Sequence, residues 1–136
     1  MPKVLLVDDD LPLVRMYQVA FQGSGINIVS AIDGEEAIQK AKKENPDLIL
    51  LDLVLPKKNG FDVLKELKAN SQTSQIPVFC LTVLHQKEDI DKCLSMGAKD
   101  YLVKTEVMPE EVISRVVGAL SPGTAKANKK DKLTPK

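Results

Sequence analysis

Polar side chains that can bind a metal or transfer a group follow four of the short apolar runs in this sequence. Asp8 and Asp9 come directly after the first run, Asp52 follows the third, Thr82 the fourth and Lys104 the fifth. Carboxylates bind hard divalent cations and can act as nucleophiles, whereas a hydroxyl and an ammonium group can hold the oxygens of a phosphoryl group. These residue types indicate metal-assisted phosphoryl transfer, provided that the fold brings them together.

The five apolar runs have the composition of strands buried in a parallel sheet. They are Val4–Val7, Ile26–Ala31, Leu48–Leu51, Val78–Leu81 and Tyr101–Val103. Most are rich in Val, Ile and Leu, and they lack the strict alternation of a half-exposed strand. The segments between them carry apolar residues at helical spacing, and Asp33, Asn59 and Pro109 stand where helices would begin.

Five strands that alternate with five helices predict an α/β fold in which helices cover both faces of a parallel sheet. Right-handed crossovers leave few arrangements, of which the doubly wound order 2-1-3-4-5 in a three-layer α/β/α sandwich is the natural candidate. The carboxyl ends of such strands share one edge of the sheet, where ligands bind. We therefore expect the side chains that follow the strands to lie together at that edge.

The expected edge is strongly acidic. Neighbouring strands lie roughly 5 Å apart, so Asp8 or Asp9 must crowd Asp52. Crowded carboxylates raise each other's pKa unless a cation neutralises them. A hard divalent ion is the economical solution, and Mg²⁺ is satisfied by one or two carboxylates with water and phosphate. The lack of clustered His or Cys argues against zinc.

One domain accounts for most of the chain. Its 136 residues have the length of a single ordinary domain, and a hydrophobic fraction of 43% is ample for one core. Residues 122–136 contain five Lys and one Asp, so 14 of the 19 basic and 18 of the 19 acidic residues fall in residues 1–121. We expect a folded domain over residues 1–121 and a flexible Lys-rich tail or linker over residues 122–136.

Composition also argues against several classes of function. A net charge of −4 on residues 1–121 (14 basic minus 18 acidic) is unlike the basic surface of a nucleic-acid-binding domain. The first apolar run is too short for a signal-peptide core or a membrane span. Cys80 and Cys93 lie singly in apolar segments, as buried thiols of a reducing compartment do. We expect a cytoplasmic protein that binds neither nucleic acid nor membrane directly.

The motifs at the strand ends resemble those of the response-regulator receiver family of two-component signalling. They are Val-Asp-Asp-Asp over residues 7–10, Asp-Leu-Val-Leu-Pro-Lys-Lys-Asn-Gly over residues 52–60, Thr82, and Tyr-Leu-Val-Lys over residues 101–104. Each motif alone is modest, but the four occur in order and at suitable spacing. The resemblance covers about residues 2–121 and implies the CheY-like, flavodoxin-like fold, whose strand order is the one predicted above.

By this resemblance, Asp52 is the residue that accepts the phosphoryl group. Asp9 is the direct metal ligand, Asp8 reaches the metal through water, and the backbone carbonyl of Val54 supplies a further ligand. The implied metal is Mg²⁺, or Mn²⁺ in its place, and no organic cofactor is implied. The domain is expected to catalyse only its own phosphorylation and dephosphorylation.

The resemblance also assigns the other polar residues and the partners. Thr82 hydrogen-bonds a phosphoryl oxygen, Lys104 pairs with it, and Tyr101 is the switch aromatic that turns inward when Thr82 moves towards the phosphate. The implied donor is a phosphohistidine on a sensor histidine kinase or a phosphotransfer protein. The signal is expected to pass through helix 4, strand 5 and helix 5 to a downstream effector protein or domain. Similar receiver domains commonly form homodimers through this face.

Three features depart from the family pattern. Thr105 replaces the proline that usually follows the lysine, often after a cis peptide, so we expect a trans bond at this position. Val83 is bulky where a small residue usually follows the threonine. Val54 and Leu84 are both apolar at positions that tune dephosphorylation in the family. Because neither can orient an attacking water, we expect the phosphorylated form to hydrolyse slowly.

The sequence leaves three alternatives open. A phosphatase of the haloacid-dehalogenase type would use Asp8 as nucleophile, but Leu11-Pro12 replaces the small or hydroxyl residues usual there and the chain is short for that fold with its cap. A nucleotide or flavin module would need a glycine-rich phosphate loop after the first strand. A phosphorylation-independent pseudo-receiver, acting as a protein-interaction module, is kept open by Val83 and Thr105.

Overall fold

The computed structural model describes residues 1–120 of the 136-residue chain. Five parallel strands form one sheet in the order β2-β1-β3-β4-β5, which confirms the predicted doubly wound α/β fold. The proposed tail over residues 122–136 lies outside the described residues. The strands are β1 (Lys3–Val7), β2 (Asn27–Ala31), β3 (Leu48–Leu51), β4 (Val78–Thr82) and β5 (Asp100–Val103), and the helices are α1 (Leu11–Gln22), α2 (Gly34–Glu44), α3 (Gly60–Ala69), α4 (Lys87–Ser95) and α5 (Pro109–Leu120).

The strand register brings the acidic residues together. Val7 of β1 pairs with Leu51 of β3. The residues that follow these two strands, Asp8 and Asp52, therefore leave the sheet side by side. Two hydrogen bonds extend the ladder past the strand ends, from Asp8 N to the Ala31 carbonyl at 2.9 Å and from Asp52 N to the Val7 carbonyl at 3.0 Å. The first residue of each acidic loop is therefore fixed by backbone bonding to the sheet.

The sheet is buried on both faces, as its uninterrupted apolar strands predicted. Val4 and Leu6 of β1 belong to a core cluster that also contains the apolar faces of α1 and α5. Leu5 and Val7 point the other way, into a cluster with α2, α3 and α4. All four of these side chains are at most 1% exposed. Burial on both faces explains why the central strands β1, β3 and β4 lack alternation, whereas the edge strands β2 and β5 are partly exposed.

Asp33 and Asn59 cap helices as predicted, and Asp10 caps α1 in the same way. The side chains of Asp10, Asp33 and Asn59 each accept a hydrogen bond from the backbone N–H three residues later, at 3.3, 2.8 and 3.0 Å. Glu36 completes the second cap, but it accepts from the N–H of Ile32, one residue before the cap, at 2.8 Å. These caps start α1, α2 and α3 immediately after the loops that carry the polar residues.

The two cysteines lie against each other, which the sequence analysis did not predict. Cys80 of β4 and Cys93 of α4 are fully buried, and their sulfur atoms form a pair, with the Cα atoms 7.7 Å apart. This Cα separation is wider than the roughly 4.4–6.8 Å that is usual for a disulfide. Their burial was expected from the sequence, but their contact was not, because residues of β4 and α4 meet only through the tertiary fold. No helix within residues 1–120 is long and apolar enough to span a membrane.

Candidate functional site

One cation lies between two buried carboxylates at the carboxyl edge of the sheet. Asp8 and Asp52 are 1% and 5% exposed. The Lys104 ammonium reaches across from the end of β5, with Nζ 2.6 Å from Asp8 Oδ2 and 3.0 Å from Asp52 Oδ2. Such close pairing offsets the repulsion between two acids that have lost their water. The fold therefore brings three of the predicted site residues into direct contact.

Asp9 completes an acidic cluster with these two residues. One carboxylate oxygen from each of Asp8, Asp9 and Asp52 lies within 4.8 Å of the others, and Asp9 is exposed. The second oxygens of the buried pair are held by the backbone, since Asp8 Oδ1 accepts from Asp10 N at 3.0 Å and Asp52 Oδ1 accepts from Val54 N at 3.1 Å. The carboxylates are thus held in place by their own loops.

The protonation of the site follows from burial and from this pairing. Burial raises the pKa of Asp8, the neighbouring Lys104 and the Asp10 N–H oppose that rise, and the charge of Asp52 adds to it. For Lys104, burial alone would lower the pKa, but its pairing with Asp8 and Asp52 outweighs burial and raises it. The lysine is therefore a cation at neutral pH, while burial makes the ionised form of Asp8 less favourable than it is in water.

The donor set fits a hard divalent cation. Asp8 Oδ2 is the one buried side-chain N or O atom within residues 1–120 without a hydrogen bond, and the Lys104 ammonium contacts it as an ion pair at 2.6 Å. An orphaned carboxylate oxygen beside two further carboxylates suits Mg²⁺, which prefers oxygen ligands and retains several waters. The backbone N–H of Val54 bonds to Asp52 and so places that residue beside the cluster.

Thr82 lies on the neighbouring strand with its side chain fully buried. Its carbonyl accepts from Lys104 N at 2.8 Å, which ties the end of β4 to the end of β5. Its hydroxyl accepts from Leu84 N at 3.4 Å, a long bond that leaves the O–H free to donate. Val83 and Val54 are 48% and 51% exposed on the two loops that follow β4 and β3. These two valines therefore lie on the loops that border the polar site.

Tyr101 is bound to the loop that follows Thr82. Its hydroxyl donates to the Leu84 carbonyl at 2.9 Å, and its side chain is half-buried. Burial, with the charges of Asp89 and Asp52, raises the pKa of Tyr101 to about 12. A movement of this loop would therefore shift the hydrogen-bond acceptor of Tyr101. Whether the ring moves on phosphorylation stays a prediction.

Alkaline titration should detect the burial of the Tyr101 hydroxyl near Asp89 and Asp52. Ionisation should appear at about pH 12 in the ultraviolet absorbance of tyrosinate, against about 10 for a free tyrosine. A raised pKa stabilises the fold fully below the unfolded value, so this contribution should disappear as the pH rises from 10 to 12. Tyr101→Phe should remove one of the two tyrosine ionisations and leave that of Tyr17. A Tyr101 ionisation near its ordinary value would mean that the hydroxyl is not buried in solution as it is in the structure.

Sequence analysis missed the glycines that shape the site. A Cβ at Gly60 would lie 2.4 Å from the Asp52 carbonyl oxygen, and one at Gly34 would lie 2.2 Å from the Lys58 carbonyl oxygen. Gly60 ends the motif over residues 52–60, but no structural role was predicted for it. The peptide bond before Thr105 is trans, as expected, and no cis peptide occurs within the described residues.

The family comparison agrees with this geometry. The model of the family described as the response regulator receiver domain matches residues 4–117, nearly all of the described chain. The chain belongs to the response-regulator receiver family. Receiver domains are signalling domains that bind Mg²⁺ through an acidic cluster of the kind formed here by Asp8, Asp9 and Asp52.

Relatives of this receiver domain support the same assignment. It is 41% identical over 118 residues to the alkaline phosphatase synthesis transcriptional regulatory protein PhoP of Bacillus subtilis strain 168, covering 87% of this chain and 48% of that protein. The chain therefore spans about half the length of the curated relatives that it matches. Two solved structures have the same fold: the receiver domain of Francisella response regulator 1452 (TM-score 0.79, 34% identity, 86% and 94% of the two chains) and chemotaxis protein CheY4 of Vibrio cholerae (0.80, 32%, 88% and 99%).

Proposed function

We propose that this receiver domain accepts a phosphoryl group on Asp52 from a phosphohistidine of a sensor histidine kinase or a phosphotransfer protein. The observation that carries the proposal is the contact of one ammonium group, that of Lys104, with the buried carboxylates of Asp8 and Asp52 at 2.6 and 3.0 Å. An ammonium held in this position by the protein is also placed to pair with an oxygen of a phosphoryl group on Asp52.

The chain's own residues have distinct roles in this transfer. An Asp52 oxygen forms the new P–O bond as the P–N bond to the donor imidazole breaks, and the electron pair of that bond stays on the imidazole nitrogen. Lys104 pairs with one phosphoryl oxygen, and the Thr82 hydroxyl donates to another. Both residues leave β-strands at fixed positions, so little reorganisation is needed when charge moves to the phosphoryl oxygens.

The acidic cluster is proposed to hold Mg²⁺, or Mn²⁺, during transfer. Asp9 would bind the metal directly, Asp8 through water, and Asp52 and the Val54 carbonyl would supply further oxygens. When bound, the cation neutralises the charge shared by the carboxylates and the phosphoryl group. Asp8 Oδ2 supports this ligand set, since its one close polar neighbour is the Lys104 ammonium and its remaining lone pairs could accept from a metal-bound water.

Output is proposed to pass through α4, β5 and α5 to a downstream effector protein or domain. Tyr101 would carry the change from Thr82 to this face, which could also form a homodimer. On the same face Arg115 of α5 makes two bonds to Asp100 of β5, at 3.0 and 2.9 Å, and a third to Glu111. A face organised around charged pairs suits a regulated protein contact better than a permanent apolar interface.

We also propose the extent of the domain, its location in the cell and the limits of its activity. The receiver domain would extend over residues 1–121, with residues 122–136 as a Lys-rich tail or linker. The domain would act in the cytoplasm without binding nucleic acid or membrane, because residues 1–121 carry 18 acidic against 14 basic side chains. It would catalyse no reaction other than its own phosphorylation and dephosphorylation.

Incubation with acetyl phosphate and Mg²⁺, followed by intact mass, tests the proposal. The wild-type chain should gain the mass of one phosphoryl group, and Asp52→Asn should gain none. Chelation of the divalent ion should abolish the gain in the wild type. Modification of Asp8 instead would indicate the phosphatase alternative. An unmodified wild-type chain would favour the pseudo-receiver that Val83 and Thr105 keep open.

The lifetime of the phosphorylated form provides a second test. Val54 is 51% exposed and Leu84 is half-buried, and neither side chain can hydrogen-bond a water molecule. We expect slow hydrolysis in the wild type and several-fold faster loss in Val54→Asn and Leu84→Glu. The decay of the phosphorylated mass after removal of the donor gives the rate. Val19→Asn, at a 73% exposed position on α1, serves as control. Unchanged or slower decay in both site variants would contradict the expectation.

A further inference from the structure

We propose that Gly34, the first residue of α2, is a positioning residue for the metal site. The proposal rests on the function proposed above and concerns a residue that lies outside the acidic cluster. A Cβ at Gly34 would lie 2.2 Å from the carbonyl oxygen, 2.6 Å from the Cβ and 2.9 Å from the carbonyl carbon of Lys58. Two of these three atoms belong to the backbone, so rotation of a flexible side chain could not relieve the clash.

The loop between β3 and α3 packs against the start of α2. Pro56 accepts a weak hydrogen bond from Gly34 N at 3.5 Å and a strong one from Lys58 N at 2.7 Å. Lys57 between them has a φ of 66°, a left-handed conformation that is unusual for lysine. Its ammonium lies 3.7 Å from Asp33 Oδ2, the cap of α2. Three successive loop residues therefore meet the first turn of this helix.

The same loop carries the acceptor and the Val54 carbonyl. At its far end Gly60 N donates to the Leu53 carbonyl at 2.9 Å, which closes the loop on itself. A loop that is closed at Gly60 and supported at Lys58 has little freedom to absorb a displacement. A side chain on Gly34 would push Lys58 away from α2, and the shift would reach Val54. Mg²⁺ requires nearly ideal octahedral geometry, so its affinity is sensitive to such a shift.

A glycine needed only for packing would behave differently from a positioning residue. Its substitution would lower stability but leave the Mg²⁺ affinity of the folded protein unchanged. Gly118 of α5 is a matched control, because a Cβ there would meet no atom within 4 Å. Gly118→Ala should preserve Mg²⁺ affinity, and it should raise stability slightly because alanine favours the helix.

Calorimetric titration with Mg²⁺ tests the proposal on the wild-type chain, Gly34→Ala and Gly118→Ala, each verified as folded by circular dichroism. Gly34→Ala should bind Mg²⁺ about tenfold more weakly than the wild type, as expected for a ligand displaced by a fraction of an ångström. Equal affinity in Gly34→Ala and the wild type would overturn the proposal. If the wild type is phosphorylated by acetyl phosphate in that case, the proposed function stands and this inference alone fails. A wild type that binds no Mg²⁺ and takes no phosphoryl group would overturn both.

A second variant keeps the test decisive if Gly34→Ala does not fold. Asp33→Asn retains a capping oxygen but removes the charge that faces Lys57. Glu35→Gln makes the same change of charge at an exposed position of the same helix. Asp33→Asn should bind Mg²⁺ about threefold more weakly than Glu35→Gln, since an ion pair whose lysine is largely exposed has a small effect. Equal affinity in these two variants would show that α2 does not position the loop.

Discussion

Replacing Lys104 with methionine is expected to destabilise the fold by about 3 kcal/mol at neutral pH without divalent cation. Asp8 and Asp52 are 1% and 5% exposed, and the Lys104 ammonium lies within 3.0 Å of both carboxylates. Methionine keeps most of the apolar stem, so the loss isolates the charge. Two nearby acids without a cation must stay ionised at a cost or take up a proton.

The pH and metal dependence of the Lys104→Met variant separates this cause from lost packing. The pKa of Asp8 is already raised by burial, and removal of the ammonium raises it further. Because a raised acid pKa favours the fold below the unfolded value and disfavours it above, the destabilisation should shrink as the solution is acidified to about pH 4. Urea unfolding with and without Mg²⁺ gives the measurement. Added Mg²⁺ should restore more stability to the variant than to the wild type.

Lys87→Met is the matched control for this experiment. Lys87 pairs with Asp91 at 2.6 Å on the exposed face of α4, so its removal should change stability little and independently of Mg²⁺. If Lys104→Met unfolded at the same urea concentration as the wild type at neutral pH, the two carboxylates would not both be charged in the folded protein. The electrostatic basis of the site would then be wrong.

The placement of the polar residues could be predicted because strand ends are a local property of the sequence. A run of four or five buried apolar residues marks a strand, and a parallel sheet puts all the carboxyl ends at one edge. That reasoning placed Asp52, Thr82 and Lys104 at one edge, and the contact between Lys104 and Asp52 at 3.0 Å confirms it. It could not separate Asp8 from Asp9, which differ because the backbone bond from Asp8 N to the Ala31 carbonyl turns the first side chain into the core.

Contacts between segments that lie apart in the sequence could not be predicted in the same way. The pairing of Cys80 with Cys93 and the bond from Tyr101 to the Leu84 carbonyl depend on how α4 and its preceding loop lie on the sheet. The approach of Gly34 to Lys58 depends on how the loop between β3 and α3 lies against the start of α2. Even where a residue lies in a recognised motif, as Tyr101 and Lys58 do, the motif does not indicate which distant residue it will contact. Such contacts are nevertheless the ones that hold the loops of the site in place.

Gly60→Ala should damage the site most directly of all substitutions outside the polar residues. The new Cβ would lie 2.4 Å from the Asp52 carbonyl oxygen and 2.4 Å from the Leu53 Cα, both backbone atoms next to the acceptor carboxylate. We expect a loss of about 3 kcal/mol in unfolding free energy, at the upper end for overpacking. Phosphorylation by acetyl phosphate should slow by about 100-fold, because the acceptor must move with its own backbone.

Two controls distinguish displacement of the acceptor from damage to α3. Asn59→Ala removes the cap of the same helix, where Asn59 Oδ1 accepts from Asp62 N at 3.0 Å, and should cost about 1 kcal/mol with little change in rate. Gly118→Ala introduces the same methyl group where nothing lies within 4 Å. If Gly60→Ala lost stability but kept the wild-type rate once folded, α3 would have moved instead of the acceptor. A slow rate in Gly60→Ala alone would mean that the acceptor's reactivity depends on the close approach of α3 to the end of β3, which a side chain at position 60 prevents.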